Sequence, residues 1–561
     1  MTSLGISCNH DAGVTVLDGD SIVFAANEER YTRRKFDFGF PANALAEALS
    51  YTNGQEFDTV TFDGRMQTPH PTRMNLVFTD STWMNGLAEL DVLARPLFGT
   101  ATGLRLSRLL LRGLTQPYRT QYRRQARALG VKGAIRYAEH HQAHAASSSL
   151  LFGGRDGLSI TVDAFGEGVC AGTWELRDGF PVKRHIVPGF HSVGMLYLYI
   201  TYLLGFKIGQ EGKVTGLAAH GDGSRVGELL LARLSYDRSR KRFANESLGY
   251  GRNAVSRLKA DLEGYSKEDV AAGVQKALET LVLAYVGDAI QQVGVVRPRV
   301  YLAGGVFANV SLNRRIAEEL PIESVAVAPN MGDGGLSLGA ALMNHDHRVD
   351  FRTLYLGTDL EGTLSRVPVE ALSQVREIQV PDLKVEVARR LAAGEIVAVA
   401  RGRMEFGPRA LGNRSILAPA TDKGVNDSLN KRLKRTEFMP FAPIVRDVDA
   451  HRYFDLTQPQ WVYENMTITC LVKDVTRKDA PAIVHIDGTA RPQVLTQERN
   501  PFVYDILAEY ERQTGLGVVV NTSFNIHEEP IVRDAETAIR SFLTSQLDAL
   551  VLGDRLYVRA A

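Results

Sequence analysis

Apolar and polar residues alternate from the first residues of the chain. Residues 4–7 form an extended apolar run, Asn9-His10-Asp11-Ala12-Gly13 a polar corner, and residues 14–17 a second extended run that meets Asp18-Gly19-Asp20. Asp-Gly between alternating runs predicts a hairpin, with residues 21–26 as the returning strand. The pattern then recurs. Residues 158–162 lead into Asp163-Ala164-Phe165-Gly166-Glu167-Gly168, and residues 169–176 turn at Arg177-Asp178-Gly179 into another extended run.

Two copies of strand, polar corner and hairpin predict a duplicated α/β unit. That is the skeleton of the actin, heat-shock and sugar-kinase (ASKHA) ATPases, in which two such corners face each other. Between the copies lies a less regular insert, about residues 65–135. Its stretch 104–129 carries Arg105, Arg108, Arg112, Arg119, Arg123, Arg124 and Arg127 among leucines. We read it as a solvated helical face packed on the core, in preference to a surface for an anionic partner. Residues 270–293 predict a long helix feeding a strand at 299–302 and then Ala303-Gly304-Gly305. The pattern breaks at Asn344-His345-Asp346-His347-Arg348, the expected approach to a second α/β domain beginning near residue 356.

Composition narrows the class. A chain of 561 residues is too long for one ordinary core, so two large domains are expected. The formal net charge of +1 argues against nucleic acid or a membrane surface as the main partner. Cys8, Cys170 and Cys470 are far apart, which disfavours a disulfide framework or a cysteine zinc site and fits a reducing cytoplasm. No secretory pattern opens the chain, and the apolar run 194–206 is too short to span a bilayer.

Candidate chemistry begins with Glu139-His140-His141-Gln142-Ala143-His144, which has helical composition. His140 and His144 at i and i+4 project from one face, so two imidazole nitrogens can reach one divalent ion; His141 points elsewhere. Asp163 ends a strand at a glycine-rich corner, and Asp333 sits in Asn330-Met331-Gly332-Asp333-Gly334-Gly335. A His₂Asp₂ set suits Fe²⁺, Zn²⁺ or Mn²⁺. Gly304-Gly305-Val306-Phe307-Ala308-Asn309 follows a strand and is expected to open a helix. Glu211-Gly212-Lys213-Val214-Thr215-Gly216 reads as a second glycine-rich turn, and together the two predict a nucleotide cradle. Residues 401–446 hold ten basic residues against four acidic ones, interleaved with Gly, Pro and apolar segments. Such density suits a pocket for phosphates.

These strings together resemble the NodU/CmcH carbamoyltransferase family. The likeness is carried by Asn9-His10-Asp11-Ala12, the run from Asn27 to Lys35, His140 to Ser147, Gly212 to Gly221 and Gly304 to Asn309. It continues through Glu405 to Ser415, Arg491-Pro492-Gln493 and Asn521 to Asn525. The resemblance implies an N-terminal ASKHA-like domain (residues 1–355) and a C-terminal YrdC-like α/β domain (356–561). It implies ATP, carbamoyl phosphate and Mg²⁺ as reactants, with carbamoyladenylate made in the second domain and a hydroxyl carbamoylated in the first. His140, His144, Asp163 and Asp333 match the family's metal ligands, with Fe²⁺ favoured. His10 and Lys35 match its acceptor side, and Arg409, Lys434, Arg491, Asn521, Ser523 and Arg414 its adenylate site. Gly166, Glu167, Lys213, Gly216, Gly304, Gly305, Asn309 and Asn313 are the expected nucleotide contacts of the first domain. Where the family commonly has arginine before Pro-Phe-Ala-Pro, this chain has Met439, with Arg435 or Arg446 as candidate replacements. The implied acceptor is a small-molecule hydroxyl, such as an antibiotic, macrolide or sugar, and the resemblance leaves room for a homodimer. A tRNA threonylcarbamoyl-adenosine enzyme, an ASKHA small-molecule kinase and a non-catalytic nucleotide-binding module are the rival readings.

Overall fold

The structure, a computed structural model, describes residues 1–52, 56–64, 95, 98–344, 349, 351, 353–434 and 441–560. Much of the insert, the break at residues 345–348, Arg435 and Met439 therefore lie outside the described residues. The chain forms two compact units of mixed α/β structure. Unit 1 comprises Met1–Val23 and Phe38–Phe351; unit 2 comprises Phe24–Asp37 and Arg352–Ala561.

Unit 1 is built on two five-stranded sheets. The first contains β1 (Thr2–Ser7), β2 (Gly13–Asp18), β3 (Ser21–Asn27), β4 (Phe57–Asp63) and β5 (Gly133–Ala138), in the order β3-β2-β1-β4-β5. Next come β6 (Leu158–Gly166), β7 (Val169–Arg177), β8 (Phe180–Pro188), a ribbon of β9 (Leu234–Asp237) and β10 (Arg242–Asn245), then β11 (Arg299–Ala303) and β12 (Ser324–Val327). The second sheet runs β8-β7-β6-β11-β12. β1 pairs antiparallel with β2 and parallel with β4, which pairs parallel with β5. β6 repeats this with β7, β11 and β12. One topology thus occurs twice, with β1 and β6 in equivalent places.

The fifth strand of each copy feeds a helix, His140–Ser149 after β5 and Leu336–Leu342 after β12. Glycine lets these pieces touch backbone to backbone. A Cβ on Gly339 would stand 1.9 Å from the Ala143 carbonyl oxygen, and one on Gly5 1.9 Å from that of Ser337. Helix Lys267–Val293 starts at Ser266, whose hydroxyl accepts from the Asp269 amide, and ends at a left-handed Gly294. It has the length and composition to cross a membrane, yet 67% of its apolar window is buried inside the protein.

The arginine-rich stretch forms the helix Ala101–Ala128, capped by Thr100. Arg105, Arg124 and Arg127 face solvent, whereas Arg119 stacks 3.7 Å above the Tyr137 ring and Arg108 turns inward. Two expectations are corrected. Residues 211–218 form a helix, Glu211–Ala218, and not a glycine-rich turn. After Gly304 the chain makes a 3-10 turn, Gly305–Ala308, before the helix Val310–Glu319 begins.

Unit 2 centres on an eight-stranded mixed sheet. Its order is Val375–Ile378, Arg555–Arg559, Ala549–Leu552, Val397–Ala400, Arg414–Pro419, Val518–Ser523, Ala442–Arg446 and Gln493–Leu495. The helices Leu383–Ala392 and Pro501–Thr514 pack against each other, and helix Ala535–Ser545 is held by an Asp534–Thr537 capping box. Cys8, Cys170 and Cys470 are free thiols and buried.

Candidate metal centre and anion-binding loop

The duplicated topology delivers four ligands to one point. His140 and His144 come from the helix after β5, Asp333 from the turn after β12, and Asp163 from β6. Their donor atoms all lie within 4.8 Å of one another. His144 Nε2 is 3.1 Å from Asp163 Oδ2 and 3.5 Å from Asp333 Oδ1; His140 Nε2 is 3.6 and 3.5 Å from the same two oxygens. An ion with ligands at about 2.1 Å requires ligand-to-ligand edges of about 3.4 Å in a tetrahedron and about 3.0 Å in an octahedron. The observed edges fall in that range. Both ring nitrogens of His140 are buried without a hydrogen-bond partner among the described residues, as is His144 Nδ1. Imidazole nitrogens left unpartnered beside two carboxylates fit a cation between them.

Electrostatics points the same way. Burial opposes charge on His144, but hydrogen bonds to Asp163 and Asp333 outweigh it and lift the imidazole to about 9. Burial likewise opposes charge on His10, and Asp333, Asp11 and Asp163 overcome it, lifting His10 to about 10. Burial raises Asp333, yet His10, His140 and His144 bring it down to about 2. The two carboxylates hold positive charge in this cavity, whether protons or a divalent ion. Asp333 divides its oxygens, Oδ1 toward the histidine pair and Oδ2 to His10 Nε2 at 3.2 Å.

The surroundings fix this geometry. A Cβ on Gly166 would lie 2.1 Å from His140 Cδ2, so the corner must be glycine for the imidazole to lie over it. Glu167 Oε2 accepts from the His140 amide at 3.3 Å. Arg108 donates to the Glu167 carbonyl and to Glu139, which also binds Lys183. Burial raises the Glu139 carboxyl, but Lys183 and Arg108 outweigh it and hold it low. His141 faces away, bonded to Thr161 and the Val169 carbonyl, and burial pushes it down to about 3. Asp63, at the end of β4 and fully buried, accepts from the Cys8 amide and the Asn9 side-chain amide, fastening the His10 corner.

In unit 2 the loop 405–414 is folded around a buried carboxylate. Glu405 Oε1 accepts from the backbone amides of Leu411, Asn413 and Arg414 at 2.8, 2.9 and 3.0 Å. Asn521 donates to the Ala410 carbonyl, and Gln493 and Tyr355 to that of Leu411. The loop presents Arg409. Burial alone lowers Arg409 to about 10; burial and then the Arg409 charge lower Arg491 well below its ordinary value. Nε of each arginine is buried without a hydrogen-bond partner, and neither has an acidic partner among the described residues. Two adjacent guanidiniums without a counter-charge are suited to an anion.

Two family models match in succession, "Carbamoyltransferase N-terminus" over residues 2–342 and "Carbamoyltransferase C-terminus" over residues 388–559. The chain belongs to the carbamoyltransferase family. It is an enzyme that transfers carbamoyl groups. The Sinorhizobium fredii nodulation protein NolNO is 30% identical over 98% of this chain and 78% of its own length. An uncharacterised Methanocaldococcus jannaschii protein is 30% identical over 99% of both chains. The 3'-hydroxymethylcephem-O-carbamoyltransferase of Streptomyces clavuligerus is 32% identical over 46% of this chain and 49% of its own.

Several expected contacts of this carbamoyltransferase have other work. Arg414 is fully buried and donates to the carbonyls of Arg533, Arg401, Asn413, Thr358 and Gly402. It ties the unit 2 core together and has no donor aimed at a phosphate. Arg446 is paired with Asp449 and Glu511, so it does not replace the arginine absent at Met439. Asn309 caps its helix through Leu312 and exchanges amide hydrogen bonds with Gln275, which occupies both ends of its side chain. Gly304 is required for packing, since a Cβ there would meet the Val162 carbonyl at 2.2 Å; Gly305 faces Asp163 Oδ1. Asn313 is buried and donates to the Phe307 carbonyl. Lys213 and Gly216 lie on helix Glu211–Ala218, with the Lys213 ammonium 5.7 Å from the Phe206 ring centre. Ser523 bonds Asn525. Lys434 is exposed with a left-handed backbone (φ 56°). Lys35 is exposed and belongs to the segment Phe24–Asp37 of unit 2. Sequence reasoning assigned no role to Asp63, Arg108 or Glu405, although Arg108 lies in the arginine-rich stretch and Glu405 opens one of the strings that carry the family likeness.

Proposed function

We propose that this enzyme is an ATP-dependent O-carbamoyltransferase that uses carbamoyl phosphate and works in two stages. Unit 2, in the reading of a YrdC-like frame, makes carbamoyladenylate. Unit 1, whose repeated sheet order supports the ASKHA-like reading, passes the carbamoyl group to a hydroxyl of a small molecule such as an antibiotic, macrolide or sugar. The observation that carries this is the Arg409–Arg491 pair, which has no acidic partner among the described residues, since adenylation brings several anions into one pocket.

Carbamoyl phosphate loses inorganic phosphate to water, and a carbamate oxygen attacks the α-phosphorus of ATP. The Pα–O bond to the β-phosphate breaks, and pyrophosphate leaves with Mg²⁺. Arg409 and Arg491 hold the anions together and offset the charge that develops on the leaving group. In unit 1 the acceptor oxygen bonds to the carbamoyl carbon, the carbon–oxygen bond to AMP breaks, and His10 takes the hydroxyl proton. His140, His144, Asp163 and Asp333 would hold a divalent ion, Fe²⁺ by family likeness or Zn²⁺ or Mn²⁺, which as a Lewis acid polarises the carbamoyl oxygen or orients the adenylate phosphate. An ion held by these four residues would also offset the carboxylate field that charges His10 and leave its imidazole neutral to accept a proton. Near-neutral net charge supports a small acceptor over a nucleic acid, and three free thiols support a reducing cytoplasm.

Incubation with ATP, Mg²⁺ and carbamoyl phosphate, followed by chromatography, tests the reading. Carbamoyladenylate and pyrophosphate are expected; ADP as the nucleotide product overturns it.

A further inference from the structure

The segment Phe24–Asp37 is distant in sequence from the rest of unit 2 but is part of it. Arg30 is 3% exposed, and its Nη2 donates to the Gly407 carbonyl at 2.6 Å, two residues before Arg409. Arg33 donates from Nη1 to the Ile531 carbonyl at 2.8 Å and from Nη2 to the Pro530 carbonyl at 2.6 Å, and it pairs with Glu529. The Glu529 carbonyl in turn accepts from Asn525, which bonds Ser523. Between the two arginines, Tyr31 contacts Thr358, and Arg533 lies 4.6 Å over its ring. One helical turn, Glu29–Thr32, with Arg33 as its left-handed C-cap, therefore grips two loops of unit 2. One loop carries Arg409, and the other follows the strand that ends at Ser523.

From these contacts we infer that Arg30 and Arg33 are positioning residues for adenylate formation, Arg30 holding the loop that bears Arg409 and Arg33 the loop that Asn525 links to Ser523. A buried guanidinium is costly unless its donors are used, and Arg30 and the part-buried Arg33 place theirs on backbone carbonyls of the two loops. Loop 405–414 is braced internally by Glu405, but Gly407 precedes the amides that Glu405 holds, so its carbonyl depends on Arg30. Without that contact the Arg409 guanidinium is free to drift from the anion it serves. The second unit is consequently incomplete without residues from the first forty. This inference depends on the adenylation reading of unit 2.

The test is a double-mutant cycle on pyrophosphate release from ATP, Mg²⁺ and carbamoyl phosphate, using the full chain. R30M is expected to lower kcat/KM by about tenfold or more, since a misplacement near 1 Å at a reacting group costs up to about 100-fold. In the R409M background the same substitution should change little, because Arg30 acts through Arg409. R540M, which removes an exposed partner of Glu529, serves as the control and should match wild type. R33M is read in the same way against S523A. A loss of equal size with and without Arg409, or no loss at all, overturns the inference while leaving adenylation intact. A wild-type chain that releases no pyrophosphate overturns the adenylation reading itself, and the role of the two arginines with it.

Discussion

Gly166→Ala places one methyl group against one metal ligand. The new Cβ would stand 2.1 Å from His140 Cδ2, 2.4 Å from Nε2 and 2.7 Å from Cγ. Ordinary carbon contacts begin near about 3.5 Å, so the ring must retreat by roughly 1 Å or more. The backbone cannot take up the strain cheaply, because the His140 amide is tied to Glu167 and Ala143 beyond it packs on Gly339. Rotating the ring costs little in itself, but it carries Nε2 away from Asp163 and Asp333, and a metal–ligand distance tolerates only about 0.2 Å. One of four ligands is then lost. Affinity for Zn²⁺ or Co²⁺, measured by titration calorimetry on metal-free protein, should fall by at least about 100-fold, with about 1–3 kcal/mol lost in stability from overpacking. Adding H140A should cost G166A little more. G166A binding metal within about threefold of wild type would refute the steric reasoning.

Three further outcomes follow from the same geometry. Arg414→Met removes hydrogen bonds to five carbonyls, of which those of Asn413 and Gly402 keep a backbone donor, so unfolding free energy in guanidinium should drop by about 3–5 kcal/mol; a change below about 1 kcal/mol would mean those contacts are dispensable. His144, lifted to about 9, is protonated at neutral pH in the metal-free protein and must be neutral to bind an ion. Metal affinity should therefore rise with pH up to about 9, with proton release in calorimetry across buffers of different ionisation enthalpy; a pH-independent affinity between 6 and about 9 contradicts this. His10→Asn should spare pyrophosphate release and abolish carbamoyl transfer to the acceptor, as followed by mass spectrometry, and unchanged transfer would remove His10 as proton acceptor.

What could be read in the sequence was local. His140 and His144 share a helix face by spacing alone, and Asp163 and Asp333 stand at corners that turn residues announce. The repeat of strand, corner and hairpin is visible because each copy is contiguous. Long-range contacts left little trace. Asp63 meets Asn9 across 54 residues and Arg30 meets Gly407 across 377, and no periodicity encodes either meeting. The basic density of residues 401–446 does not separate Arg409, which has no acidic partner among the described residues, from Arg414, whose donors the backbone consumes. Asn309 is ambiguous for a similar reason, since the amide that suits a ligand also suits a helix cap and Gln275.

The division of labour between the two units is tested most directly by phosphorus-31 NMR of ATP, Mg²⁺ and carbamoyl phosphate with wild type, H140A and R409M. Pyrophosphate and an AMP ester are expected from wild type and H140A alike, and much less of both from R409M. ADP as the product, or pyrophosphate lost in H140A as fully as in R409M, would contradict that division.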